Sequence, residues 1–310
     1  MRTAFVETLM DAAAGDPRIW LITGDLGFSV IEPFAEKFSE RFVNAGVQEQ
    51  NMTGIAAGLA LAGNIVFTYS IANFSTLRCI EQIRNDVCYH NLNVKIVSVG
   101  AGFAYGAQGY THHGIEDIAV LRALPSLRIA SPADAWETRM ITRSAVTEAG
   151  PMYLRLGKGG EPVFHTATPT GEAGRMVPLI EGRDVLLIAT GAVVGEAVQA
   201  ASKLAEFEIA ASVWSCPWIV PFDEAAVLDA ASKYSLIVTV EEGRSTGGLG
   251  GAVAETLAGM SDRIARLIRL GAPKELASEI GSQTYLRSRA GLDCDAVAST
   301  VFQHFDKVNR

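Results

Sequence analysis

The stretch Asn44-Ala45-Gly46-Val47-Gln48-Glu49-Gln50-Asn51-Met52-Thr53-Gly54-Ile55-Ala56-Ala57-Gly58-Leu59-Ala60 carries one carboxylate into a segment too apolar for a solvated surface element. Met52, Ile55, Ala56 and Leu59 recur at helical spacing and make one face. Gly54 and Gly58 stand inside the helix, where each costs roughly 1 kcal/mol against alanine, so the expectation is that another element presses on the bare backbone. Glu49 is the place to look for chemistry, although an acid at a helix N-terminus, placed well against the macrodipole, is a sufficient account on spacing alone.

Outward from this helix, β-branched runs alternate with amphipathic stretches. Ile19–Ile22 precedes it; Ile65–Phe67, a helix from Cys79 to Tyr89, Val94–Val99 and Leu127–Ala130 follow. That order reads as α/β with a largely parallel sheet. Ser131-Pro132-Ala133-Asp134 opens a helix, with serine expected at the cap, and Met152–Leu156 closes a first unit over residues 1–158. Residues 159–182 carry turn formers such as Gly159-Gly160-Glu161-Pro162 with little apolar periodicity, and read as a linker. A second unit over 183–310 has strands at Asp184–Ala189, Ile209–Val213 and Leu236–Val240, and helices near Gly195–Leu204 and Gly251–Leu257.

The bulk properties narrow the function. The 310 residues are 49% hydrophobic and 19% charged, with net charge −8, enough apolar mass for a large core and about two domains. A pI near 5.2 and the absence of a basic stripe argue against nucleic acid as a partner. The amino-terminal residues lack a signal-peptide core and no run approaches the ~18 apolar residues of a membrane span, so a cytoplasmic protein is expected. Cys79, Cys88, Cys216 and Cys294 show neither CxxC pairing nor metal-ligand spacing with the histidines, and read as buried free thiols.

Several motifs admit both a functional and a structural account. Thr111-His112-His113-Gly114 follows Tyr105-Gly106-Ala107-Gln108-Gly109, putting two imidazoles in a glycine-rich loop after a strand, where α/β proteins gather ligands. Adjacent histidines in a loop seldom serve packing, which favours function; metal binding lacks a third ligand. Gly247-Gly248-Leu249-Gly250-Gly251 before a helix suggests a phosphate cradle, but it has no P-loop lysine, and close helix packing explains it as well. Glu241 and Glu242, consecutive at a strand end, point to opposite faces and receive no proton-transfer role. Phe74 is either core or a cofactor platform.

Taken together, Val47-Gln48-Glu49-Gln50-Asn51-Met52 with Ala56-Ala57-Gly58-Leu59-Ala60, then Glu81–Val87, then Gly109-Tyr110-Thr111-His112-His113-Gly114-Ile115-Glu116-Asp117, then Ser131-Pro132-Ala133-Asp134, resemble the transketolase family, in family order. The resemblance covers essentially the whole chain but only the carboxyl-terminal half of a full-length transketolase. It implies two three-layer α/β/α domains: a thiamine-diphosphate-binding-fold pyrimidine domain and a smaller transketolase C-terminal-like domain. The family's Gly-Asp-Gly metal motif is not matched, since the Gly-Asp pairs continue as Gly15-Asp16-Pro17 and Gly24-Asp25-Leu26. The resemblance therefore implies a separate diphosphate-binding partner subunit that supplies the Mg2+ ligands, with self-association through the pyrimidine domain, in a dimer of heterodimers.

By the same resemblance Glu49 is the carboxylate that hydrogen-bonds the aminopyrimidine of thiamine diphosphate. Phe74 takes the place of an aromatic that stacks on that ring, and Ile71 stands where many relatives have a second aromatic. His112, rather than His113, matches the loop histidine at the substrate's reacting carbonyl and hydroxyl. Arg2, Ser29 and Lys158 match positions that grip the substrate's phosphate end, the last usually arginine. Gln108 replaces a common aspartate, and Gly100 replaces a histidine, which is expected to leave room for an unusual anionic sugar. The implied function is transfer of a two-carbon ketol unit from a ketose to an aldose. Alternatives are the beta subunit of a 2-oxo acid dehydrogenase, a deoxyxylulose-phosphate-synthase-like enzyme, or a non-catalytic regulatory subunit.

Overall fold

The computed structural model describes residues 1–169, 172–260 and 265–308. Its first sheet has seven strands in the order β10-β5-β6-β4-β3-β1-β2. They are β1 (Ile19–Thr23), β2 (Phe42–Asn44), β3 (Ile65–Ile71), β4 (Val94–Val99), β5 (Arg128–Ala130), β6 (Met152–Leu156) and β10 (Trp218–Val220). All pair parallel except β10, which runs antiparallel to β5. The central strands β3, β4 and β6 are buried almost throughout, as a parallel sheet covered on both faces requires.

Alternate residues of these strands feed two cores. Phe67, Tyr69, Val97 and Leu154 join Phe5 and Leu9 of the helix Arg2–Gly15 on one face. Val66, Ile96 and Tyr153 join Met52 and Ala56 of the helix Glu49–Leu61 on the other. That second core continues unbroken into Leu186, Ile188, Ile237 and Val253 of the second half of the chain.

The second sheet has the order β12-β11-β8-β9-β7, with β7 (Val177–Ile180), β8 (Val185–Thr190), β9 (Ala211–Ser215), β11 (Leu236–Glu241) and β12 (Arg266–Leu270). Only β7, at the edge, is antiparallel. The helices Val194–Ala205 and Cys294–Val308 cover one face through Val194, Ala197, Leu204, Val297 and Val301. The architecture is α/β, with mixed, largely parallel sheets and helices in two units, as the alternation along the sequence predicts.

Four expectations are corrected. The helix Ala135–Thr147 is capped by Asp134, whose Oδ1 accepts from the backbone of Trp136 and Glu137 at 2.9 Å, while the backbone N–H of Ser131 donates to the carbonyl of Pro217. A Cβ on Gly54 or Gly58 would have no atom of another element within 4 Å among the described residues. The segment 177–180, inside the stretch read as linker, is a strand. The helix read from Cys79 to Tyr89 is a 3₁₀ turn Leu77–Cys79, a short α segment Ile80–Gln82 and a π turn Ile83–Cys88.

The cysteines are free; Cys79, Cys88 and Cys216 are buried and Cys294 is half-buried. Among the described residues no helix is long and apolar enough to cross a membrane, and no cluster of His, Cys, Asp or Glu is arranged to hold a metal ion.

Candidate functional site

Glu49 begins its helix behind Gln48 and is only 1% exposed. A buried carboxylate needs partners. Its Oε2 accepts from Nη1 of Arg78 at 2.6 Å, and its Oε1 accepts from the hydroxyl of Ser70, at the end of β3, at 3.3 Å. Beside it opens a cleft of about 340 Å³ lined by Val47, Gln48, Gln50, Asn51 and Arg78.

β3 runs into the short helix Ala72–Ser75, which carries Phe74 half-buried at the lip of the same region, with Ile71 half-buried just before it. The Arg78 guanidinium lies over the Phe74 ring, 4.6 Å from its centroid. The His112 ring meets Phe74 at 5.1 Å and 72°. Asn73 fixes that neighbourhood by donating to the carbonyls of Thr111 (3.2 Å) and His113 (2.6 Å). Glu49, Phe74 and His112 are thus brought together, with Ser70, Asn73 and Arg78 as connecting residues that no motif in the sequence singles out.

The paired histidines divide their work. His112 is half-exposed, with Nδ1 against the Thr111 hydroxyl at 3.0 Å. His113 is fully buried, its ring edge-on to Phe103, and burial pushes its pKa below the usual imidazole range. A neutral ring in that position serves packing.

The histidine loop is held from below by a buried network. Arg155 on β6 donates to Asp117 (2.7 Å), to the carbonyl of Gly114 (2.5 Å) and to that of Glu242 (2.9 Å). Glu242 receives the backbone N–H of Phe103 at 2.6 Å and pairs with Arg287 at 2.6 Å. Its neighbour Glu241 turns the other way, to the backbone of Leu249 and Gly250 at 2.9 and 2.8 Å. The N-terminus suspected of cradling phosphate is therefore filled by a carboxylate of the chain itself, and the glycines allow its approach: a Cβ on Gly248 would overlap Glu241.

The remaining predicted residues lie elsewhere around the carboxyl ends of the strands. Arg2 interacts with the phenols of Tyr69 and Tyr105. Lys158 places Nζ 5.2 Å from the Tyr105 ring centroid. Among the described residues neither cation has a carboxylate partner. Ser29 sits in an exposed loop at φ 64°, its N–H on Glu32, and among the described residues no hydrogen bond joins it to Arg2 or Lys158. Gln108 is exposed in the 3₁₀ turn Gly106–Gln108. The room expected at Gly100 does not exist, because the ring of Tyr105 fills it and a Cβ there would overlap that ring.

Known proteins resemble this chain over most of its length. Residues 1–161 match the transketolase pyrimidine-binding domain, and 174–297 match the transketolase C-terminal domain. A putative transketolase C-terminal section from Methanocaldococcus jannaschii is 36% identical over 99% of this chain and 96% of its own length. An apulose-4-phosphate transketolase subunit from Phocaeicola vulgatus is 37% identical over 99% of this chain and 97% of its own. A solved split-gene transketolase, described as an inactive beta4 tetramer, superposes with TM-score 0.88 at 36% identity, covering 98% of this chain and 97% of that one.

Proposed function

This chain belongs to the transketolase family, and on that premise we propose that it is the carboxyl-terminal subunit of a split, thiamine-diphosphate-dependent transketolase that moves a two-carbon ketol unit between sugars. The observation that carries the reading is Glu49, a buried acid linked through Arg78 to the half-buried ring of Phe74, which in turn meets the ring of His112.

These residues fit the aminopyrimidine half of the cofactor. An acid 1% exposed offers a fixed oxygen, and Phe74 offers a half-buried ring against Arg78, whereas Ile71 packs on the core of the opposite sheet face. When bound, thiamine diphosphate supplies the electron sink for the two-carbon fragment. Glu49 holds a proton at the pyrimidine ring nitrogen, and its burial keeps water from competing for that bond. His112, with Nδ1 on Thr111, has Nε2 for the substrate hydroxyl and carries a proton there. Arg2 and Lys158, without a carboxylate partner among the described residues, take the anionic end of the sugar, with Ser29 and Gln108 as further polar contacts. The apulose 4-phosphate named for one relative supports a phosphorylated sugar as substrate.

Two facts support a partner. Mid-helix glycines at 54 and 58 cost stability that no contact among the described residues explains, and Val47 before the helix and Leu61 at its end are both exposed. The tetramer made only of the corresponding subunit in a relative is described as inactive. We therefore place a diphosphate-binding subunit against this helix, supplying the Mg2+ ligands, with self-association through the unit 1–158 and residues 183–310 as the terminal unit, in a cytoplasmic heterotetramer.

The test is ketol transfer by this chain alone and mixed with its candidate partner, with thiamine diphosphate, magnesium and a panel of ketose donors. Activity in the mixture only is the expected result. Silence of an assembled, cofactor-loaded complex contradicts the proposal, and decarboxylation of an oxo acid instead moves the chain to the dehydrogenase branch.

A further inference from the structure

We propose that Arg78 is a gate on the cofactor seat: its guanidinium competes with the aminopyrimidine ring for both Glu49 and Phe74, and must swing into solvent before the ring can bind. The inference rests on the assignment of Glu49 and Phe74 to the pyrimidine given above.

A flat, nitrogen-bearing ring seated here needs two things, a hydrogen bond to the Glu49 carboxylate and the face of Phe74. A guanidinium is also flat, delocalised and rich in N–H donors. Arg78 holds both groups at once, with Nη1 2.6 Å from Glu49 Oε2 and Cζ 4.6 Å from the Phe74 centroid. No other hydrogen bond of its side chain is present among the described residues, so nothing else ties it down.

The two partners of the ion pair differ in freedom. The Glu49 side chain is 1% exposed and that of Arg78 is 43% exposed, so the acid is fixed and the arginine can leave. Arg78 stands in the 3₁₀ turn Leu77–Cys79 and lines the cleft beside Glu49, which gives it a path outward. Its role in the closed arrangement is to keep a buried carboxylate paired. The consequence is a lowered apparent affinity for the cofactor, because only the fraction of molecules with Arg78 withdrawn can accept the ring.

The experiment is equilibrium binding of thiamine diphosphate, by calorimetry, to the complex of this chain with its diphosphate-binding partner, as wild type, Arg78→Gln and Arg78→Lys. Arg78→Gln is expected to bind about tenfold tighter or more, as a larger competent fraction requires, with Arg78→Lys in between because it keeps the charge and loses the flat stack. Equal or weaker binding by both variants in assembled complexes overturns the gate and leaves the cofactor assignment standing. Absence of binding by all three, wild type included, overturns both. A second measurement needs no variant: the side-chain proton resonances of Arg78, displaced by the Phe74 ring current, should move to solvent-exposed positions as cofactor is added. Resonances unmoved at saturating cofactor overturn the gate even if the variants fail to fold.

Discussion

At the scale of single residues, the two histidines make the sharpest contrast. His112 is half-exposed against Phe74, and His113 is buried against Phe103, so their replacements should fail in different ways. His112→Ala should leave stability close to wild type and lower kcat/KM of the partnered enzyme by ~100-fold, the usual weight of one proton-transfer group. His113→Ala should cost about 2–4 kcal/mol in denaturant unfolding, as core truncations do. A stable His113→Ala chain would remove the structural role assigned to that ring. Gly100 gives a second test: its φ of 89° and the Tyr105 ring leave no place for a methyl group. Gly100→Ala should destabilise the chain by at least ~1 kcal/mol, read as a lowered denaturant midpoint. Glu49 is legible in the sequence because an acid stands out in an apolar helix. Arg78 and Ser70 are not, because their meeting with Glu49 spans 29 and 21 residues and no local pattern encodes it. Tyr105 filling the space at Gly100 is equally hidden.

At the scale of elements, the long apolar runs are legible and the short ones are silent. β4, six buried residues, is read in full, and β3 is read only in its first three residues, Ile65–Phe67, of seven. β2 and β10, three residues each, carry too few side chains to show a period, and β12 is half-exposed along its length. Capping at Ser131 is ambiguous in the sequence because two capping side chains stand three residues apart, and only the strand end at Ala130 decides between them.

The helix Leu249–Ala258 carries a pH dependence of its own. Burial raises Glu241 from 4.5 to about 7, against the pull of the backbone N–H groups of Gly250 and Leu249. The unfolded chain releases that proton near its ordinary value and the native chain holds it longer, so this group's contribution to stability is greatest below about pH 4.5. It is lost as pH rises through the native value near 7, by on the order of 3 kcal/mol. Chemical unfolding of wild type and Glu241→Gln across pH 4.5 to 8 should show the wild type losing stability relative to the variant with rising pH. Parallel curves would contradict the assignment.

At the scale of the whole molecule, the chain does not divide as cleanly as its composition suggests. β10 leaves the second half to pair with β5 of the first sheet, and its Trp218 is fully buried. Arg155 reaches from β6 to the carbonyl of Glu242. One core runs through both halves. A chain cut after residue 158 should therefore lose the partner of β5 and fail to give a monodisperse, cooperatively unfolding species by size exclusion and circular dichroism. A stable, cooperative fragment would show that these links are dispensable. The alternation and turn-rich middle of the sequence point to two units, but the contacts that bind them arise from residues far apart in the chain.

The central claim is that Glu49 acts chemically rather than as a helix-terminal acid alone. The decisive measurement is ketol transfer by the partnered complex carrying Glu49→Gln, with assembly and thiamine diphosphate binding followed in the same samples. Turnover should fall by ~100-fold or more while the complex remains assembled. Full activity in that variant would contradict the account and leave Glu49 a structural acid.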